Sequence, residues 1–118
     1  MRTAAVLVVV LSLLVSAWAI AALTVNIQVA PAQIVLSAPL EWITVHADIA
    51  YADVDPDSVT INGLDDLWIK SDNCGNLVAK VRFVDIVSQL SAPSAVIVLE
   101  GETTDGEAFS GSQTVRVK

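Results

Sequence analysis

The 118-residue chain has little of the residues that build catalytic and metal centres, with one cysteine and one histidine. Cys74 has no partner for an internal disulfide, so the fold depends on its hydrophobic core. His46 lacks the second histidine of the common zinc sites. We therefore interpret His46 as a solvated or half-buried side chain. Cys74 is interpreted as an incidental turn residue, with intermolecular pairing as the alternative, and we expect no catalytic residue.

Basic residues are also scarce, with six against thirteen acidic residues and a formal charge of −7. An acidic surface repels phosphate backbones and anionic lipid, which argues against nucleic-acid binding and against docking on anionic membranes. The same charge attracts cations and basic partners. We expect a protein partner or self-association, no nucleic acid, and a membrane contact only if the hydrophobic N-terminus is retained.

Only the N-terminus contains a long hydrophobic run, over residues 4–23, interrupted by two serines. Small-x-small signatures predict cleavage after Ala19 or Ala21, as in a secretory signal peptide. The sequence therefore predicts a signal peptide over residues 1–21 and a secreted or cell-surface domain over residues 22–118. The alternative is a retained membrane anchor, because a run of about 20 apolar residues can span a bilayer as a helix.

No helical pattern of ten residues follows the leader, and an apolar period of two takes its place. Val25, Ile27 and Val29 alternate with polar residues, which is typical of a strand with one buried face. The same alternation recurs over residues 41–50, 58–61, 77–83, 95–101 and 108–117. This pattern predicts an all-β sandwich of seven to eight short strands in a single domain.

Turn signals separate these strands. Asn62-Gly63 and Asp105-Gly106 are dipeptides that favour tight turns. Gly111 lies inside the last strand and predicts a β-bulge there. Residues 84–94 show no period of two, and we interpret them as a crossover connection with room for one helical turn.

Three stretches resemble recurring elements of immunoglobulin-like β-sandwich modules in secreted prokaryotic proteins. They are DVDPDSVTING, GNLVAKV and GETTDGEAFSGSQTVRV, and the resemblance covers residues 42–118. It implies an immunoglobulin-like Greek-key sandwich that serves as a non-catalytic structural or adhesive module. The shared motifs are turns and hairpins, so the resemblance transfers no functional residues.

Asp53, Asp55 and Asp57 form the one acidic pattern that suggests a metal, and they are candidate calcium ligands. The spacing matches the start of an EF-hand loop, but Ser58 occupies the glycine position and Leu64 the glutamate position. A calcium site of another type, built from loops at one end of the sandwich, stays open. The simpler interpretation, which we favour, is a turn in which aspartate side chains accept backbone N–H groups. No other cofactor is expected.

Trp42 and Trp68 have two open interpretations. They could form an exposed aromatic surface for a sugar or a protein partner, or they could cap the ends of the core. Trp42 shares its outward phase with His46 and Asp48, which favours the surface.

Taken together, these features predict a non-catalytic exported structural or interaction module. In one form of this hypothesis the apolar strand at residues 24–31 completes the sheet of a second copy. In the other, which we favour, that strand pairs within its own sandwich. The alternative function is a small calcium- or carbohydrate-binding β-sandwich domain.

Overall fold

The computed structural model describes residues 23–38 and 40–118, and the predicted signal peptide lies outside these residues. The described residues form two β-sheets with a shared hydrophobic core, which confirms the all-β prediction. No helix within the described residues is both long and apolar enough to cross a membrane.

The described residues contain nine strands, of which seven have four or more residues. In chain order they are β1 Leu23–Thr24, β2 Ile27–Ala30, β3 Gln33–Ile34, β4 Trp42–Ala50, β5 Val54–Ile61, β6 Leu67–Ser71, β7 Asn76–Arg82, β8 Ser94–Thr103 and β9 Ala108–Val117.

Two sheets, which we call sheet A and sheet B, share these strands. Sheet A has the order β1-β9-β8-β5, with β3 also paired to β9, and sheet B has the order β2-β4-β7-β6. The strand β6 lies at an edge of sheet B. β8 and β9 form a long hairpin, and its turn contains Gly106 at a φ of 84°. The predicted Asp105-Gly106 turn is therefore confirmed.

The crossover connection between β7 and β8 is helical, as the sequence predicts. It contains the short helix α1 Phe83–Ile86 and the 3-10 turn Val87–Gln89, and it carries the chain from sheet B to sheet A. Ile86 and Leu90 belong to the buried cluster, so this connection closes one side of the core.

The core lies between the two sheets and follows the period of two. On β4, Ile43, Val45 and Ala47 are buried, whereas Thr44 is partly exposed and His46 is exposed. A fully buried aliphatic side chain stabilises a fold by about 1.5–3 kcal/mol, so the twenty buried residues of the cluster account for a stable sandwich without a disulfide.

The N-terminal segment pairs within its own sandwich, as we favoured, but not as one strand. β1 lies parallel to β9 in sheet A, β2 lies antiparallel to β4 in sheet B, and β3 returns to β9. The crossing occurs at Val25 and Asn26. The N–H of Val25 donates to the Ser110 carbonyl at 2.9 Å, and the Asn26 carbonyl accepts the Asp48 N–H at 3.1 Å.

The predicted bulge at Gly111 is wrong. Gly111 pairs with Leu99 in the middle of nine consecutive β8–β9 pairs in regular register. The glycine is required for a different reason, because a Cβ at this position would lie 2.5 Å from the Val25 carbonyl oxygen and 3.0 Å from Ile27 Cγ2. Gly111 therefore makes room for the N-terminal segment where it crosses from one sheet to the other.

The Asn62-Gly63 turn is confirmed, and Asn62 has a second role. Asn62 and Gly63 have φ values of 49° and 80°, as in a tight two-residue turn. The Asn62 side-chain amide donates to the Val96 carbonyl at 3.1 Å and accepts the Val98 N–H at 2.7 Å. These bonds continue the β5–β8 ladder beyond the end of β5.

Candidate functional site

The three candidate calcium ligands lie in a segment whose geometry is typical of turns. Asp53 ends the 3-10 turn Tyr51–Asp53, and its carbonyl accepts the Thr104 N–H at 2.9 Å. Asp55 Oδ1 accepts the N–H of Asp57 at 3.1 Å. An aspartate that accepts the N–H two residues on is a standard device for shaping a turn and requires no ion.

The acidic stretch lies in a large bulge of β5. Four residues separate Asp55 from Thr60 on β5, while one residue separates their partners Glu102 and Glu100 on β8. The Ser58 hydroxyl closes the bulge, since it donates to the Asp55 carbonyl at 2.6 Å and accepts the Glu102 N–H at 2.8 Å. The side chains of this stretch thus shape an edge of sheet A.

Within residues 23–38 and 40–118, no three side chains among His, Cys, Asp and Glu form a group that could hold a metal ion. Asp53, Asp55 and Asp57 are therefore not brought together as a ligand set. The calcium site stays a prediction that this geometry does not support.

We expect millimolar calcium to leave the melting temperature of residues 22–118 unchanged relative to EDTA. A ligand at 100 times its Kd would stabilise the fold by about 2.7 kcal/mol, which a thermal melt detects readily. The control is the Asp55→Asn variant, which removes one candidate ligand. A calcium-dependent rise in the wild type that is lost in Asp55→Asn would establish the site and contradict this expectation.

The single cysteine and the single histidine are both exposed, as predicted. Cys74 lies in the turn between β6 and β7, where its N–H donates to Asp72 Oδ1 at 2.8 Å. His46 lies on the outer face of sheet B, with Gln28 and Val78 as its cross-strand neighbours.

The two described tryptophans meet on this same outer face. Trp42 begins β4 and Trp68 lies on the edge strand β6, with β7 between them. Their ring centroids are 5.9 Å apart at an interplanar angle of 63°, which is a favoured edge-to-face arrangement. Trp68 is 52% exposed and Trp42 is partly exposed. Of the two interpretations, the structure therefore supports the aromatic surface.

Strand register explains how these rings meet. Trp42 lies opposite Arg82 on β7, and Trp68 lies opposite Lys80. Since Lys80 and Arg82 are two residues apart on one face of β7, the tryptophans are diagonal neighbours across that strand. The two indole rings are long enough to meet over β7, with their centroids 5.9 Å apart.

Three basic side chains surround the rings. Lys80 Nζ lies 5.0 Å and Lys70 Nζ 5.9 Å from the Trp68 centroid, and Arg82 Cζ lies 5.1 Å from the Trp42 centroid. These distances are in the cation–π range. We call these five residues the aromatic-cation patch.

The aromatic-cation patch concentrates positive charge on an acidic protein. Three of the five basic residues between positions 23 and 118 lie in it; the five are Lys70, Lys80, Arg82, Arg116 and Lys118. The cross-strand neighbours of these three are tryptophan, threonine and valine, so the register places no acid opposite any of them. The patch is a positively charged surface with an aromatic floor.

An open depression of about 460 Å³ lies further along sheet B, where residues of β2, β4 and the β6–β7 turn come together. Its lining is mostly polar and consists of Asn26, Ile27, Gln28, His46, Ala47, Asp48, Asp72 and Asn76. The Asp48 carboxylate is oriented by Asn26, whose backbone N–H and side-chain amide donate to it at 2.8 and 3.1 Å.

Asp72, which also lines this depression, has a lowered pKa. Its Oδ1 accepts the Asn76 N–H at 2.9 Å as well as that of Cys74. The Asn76 bond is the main cause of a lowered Asp72 pKa; desolvation opposes it, and the Cys74 N–H and nearby His46 lower the pKa further. The depression therefore presents an oriented carboxylate at neutral pH.

Strand β4 joins the depression and the patch. Trp42 stands at its start, and His46 and Asp48 stand further along the same face. Trp42 and Asp48 are six positions apart, or about 20 Å at about 3.3 Å per residue. We call the patch and the depression together the sheet B face.

Comparison of the chain with protein-family models, curated proteins and solved structures found no match.

The chemistry of the sheet B face indicates which kind of ligand it suits. Indole rings offer a large apolar surface. Carboxylate groups accept hydrogen bonds from hydroxyl groups, and amide groups both donate to them and accept from them. This combination suits a ligand that has apolar faces and many hydroxyl groups and that is long enough to follow a strand. The sequence named Trp42 and Trp68 as one of two possible arrangements, an exposed aromatic surface, but not the three cations around them, because that gathering depends on the β4-β7-β6 register.

Proposed function

We propose that the chain is a non-catalytic exported interaction module that binds a polysaccharide through the sheet B face. The observation that carries the proposal is the exposed Trp42–Trp68 pair on an open sheet surface, with its ring centroids 5.9 Å apart. Sugar rings have apolar C–H faces that pack on indole rings, and their hydroxyl groups suit the polar depression further along β4.

An immunoglobulin-like Greek-key sandwich is the fold we propose for this module. The orders β2-β4-β7-β6 and β1-β9-β8-β5 support it, together with the crossings between sheets at β4–β5, β5–β6 and β7–β8. Such sandwiches leave their outer sheet faces free for binding while the core remains between the sheets.

Export is proposed from the hydrophobic run over residues 4–23 and its small-x-small signatures. Leu23 and Thr24, the first described residues, pair with Phe109 and Ser110. Removal of residues 1–21 therefore leaves every described strand in place.

Self-association through the N-terminal strand is less well supported than the sheet B face. β2 is paired with β4 over four consecutive residues, and the Val29 N–H also donates to Gln113 Oε1 in the opposite sheet at 2.7 Å. A segment held to both sheets would have to leave its own sandwich before it could complete the sheet of another copy. We therefore place the binding function on the sheet B face.

The proposal is tested with residues 22–118 and a panel of soluble neutral and acidic polysaccharides. Trp42 and Trp68 are the only tryptophans in this range, so tryptophan fluorescence reports directly on the patch. We expect at least one polysaccharide to change the fluorescence and to retard the protein in affinity electrophoresis. We expect Trp68→Ala to weaken that binding at least tenfold, which corresponds to about 1.4 kcal/mol.

The matched control is Val96→Ala. Val96 is also 52% exposed, but it lies on β8 in sheet A, so its removal is expected to leave binding unchanged. Wild-type affinity in Trp68→Ala, or no response to any polysaccharide, would contradict the proposed function. Release of reducing ends from the bound polysaccharide would contradict its non-catalytic part.

A further inference from the structure

We infer that the polysaccharide is acidic and that Lys70, Lys80 and Arg82 bind its carboxylate groups. This inference rests on the proposed function and adds the chemical class of the ligand. Its basis is the position of the basic side chains. The chain carries a formal charge of −7, yet most of the basic residues between positions 23 and 118 surround one pair of tryptophan rings.

The arrangement of charge around Trp68 favours an anion. The ammonium groups of Lys70 and Lys80 both lie within 6 Å of the same ring centroid. The register places Val78 opposite Lys70, and Thr44 and Trp68 opposite Lys80, so no acid lies opposite either ammonium group. A carboxylate over Trp68 gains an attractive contact with each ammonium group that it reaches.

Arg82 extends the positive surface along β7. Its guanidinium lies over the Trp42 ring, 5.1 Å from the centroid, and the residue is exposed. A planar guanidinium presents two parallel N–H groups to a carboxylate and binds it with defined geometry. Arg82 and Lys80 lie on the same face of one strand, and their Cα atoms are about 7 Å apart. Two acidic groups along one polymer can therefore be held together.

The acidic groups on the sheet B face lie in the depression and not in the aromatic-cation patch. Asp48 and Asp72 line the depression, where side-chain and backbone N–H groups already donate to their oxygens. We therefore expect carboxylate groups over the patch and hydroxyl groups over the depression. The remaining negative charge of the protein opposes the approach of a polyanion, but it is screened beyond about 8 Å at physiological salt. Direct contacts at the patch thus decide the affinity.

The test compares polygalacturonate with the same polymer after chemical reduction of its carboxyl groups. Binding to residues 22–118 is measured by tryptophan fluorescence and calorimetry in EDTA, which removes calcium as a bridging ion. We expect the acidic polymer to bind at least tenfold more tightly than its reduced form. Lys80→Gln and Arg82→Gln are each expected to weaken binding of the acidic polymer about tenfold and to leave binding of the reduced polymer within twofold.

Two controls keep the result interpretable. Arg116→Gln removes an exposed cation from β9 in sheet A and is expected to change neither affinity. Circular dichroism verifies that each variant is folded. Lys70→Gln, at an exposed position on the edge strand, replaces Lys80→Gln if that variant does not fold.

The outcomes separate this inference from the proposed function. Equal binding of both polymers, weakened in both by Trp68→Ala, overturns the acidic ligand and leaves the polysaccharide function intact. Binding of neutral polysaccharides alone would likewise overturn the acidic ligand and leave the polysaccharide function intact. If no polysaccharide binds, both proposals are wrong.

Discussion

Val115→Asp is expected to leave residues 22–118 unfolded in buffer, whereas Thr114→Asp is expected to leave them folded. Val115 is 1% exposed and belongs to the buried cluster between the sheets. An ionised carboxylate buried there without a partner costs several kcal/mol. A domain of this size has a total stability of about 5–15 kcal/mol, and one without a disulfide lies toward the lower end.

Thr114 is the matched control because it is the neighbouring residue on the same strand. It is exposed on the outer side of β9, opposite the exposed Val96. The same introduced charge remains in water there, and we expect a change of less than about 1 kcal/mol. Urea titrations followed by circular dichroism measure both variants. Similar midpoints for the two would show that the faces of β9 are assigned incorrectly.

Gly111→Val is expected to lower the free energy of unfolding by about 3 kcal/mol and to release the N-terminal strands first. The new Cβ would lie 2.5 Å from the Val25 carbonyl oxygen, and backbone cannot yield as a flexible side chain can. Overpacking of this kind typically costs about 1–3 kcal/mol, and the two valine methyl groups add to the contact with Ile27.

Hydrogen exchange distinguishes this local effect from general destabilisation. In Gly111→Val, we expect the amides of Val25 and of β2 to exchange faster than those of the β8–β9 hairpin. Ser112→Val places the same side chain on the adjacent, exposed position of β9 and is expected to be close to neutral. Normal protection of Val25 in Gly111→Val would mean that the N-terminal segment does not cross at this glycine.

The strand faces could be predicted because strand geometry is local. Successive side chains of a strand point to opposite sides, so Ile43, Val45 and Ala47 had to share a face whichever strands flank β4. The turns were predictable for a similar reason, since Asn62-Gly63 and Asp105-Gly106 supply the positive φ values that tight turns need.

The acidic stretch shows where a local pattern leaves two interpretations open. The spacing of Asp53, Asp55 and Asp57 suggests ligands, but in the described residues the carboxylate of Asp55 accepts the N–H of Asp57 instead. The same side chains can shape a turn or bind an ion. Which of the two occurs depends on whether other loops bring further oxygen ligands close to them.

Sequence by itself determined the all-β character of the described residues, the buried side of regularly alternating strands such as β4 and the sharp turns, because these depend on neighbouring residues and on a period of two. Tertiary structure alone decided the pairing of Trp42 with Trp68, the gathering of three cations around them and the need for glycine at position 111. Each of these requires a register between strands that are far apart in the chain. Alternation assigns a residue to a face but does not identify its neighbours on that face.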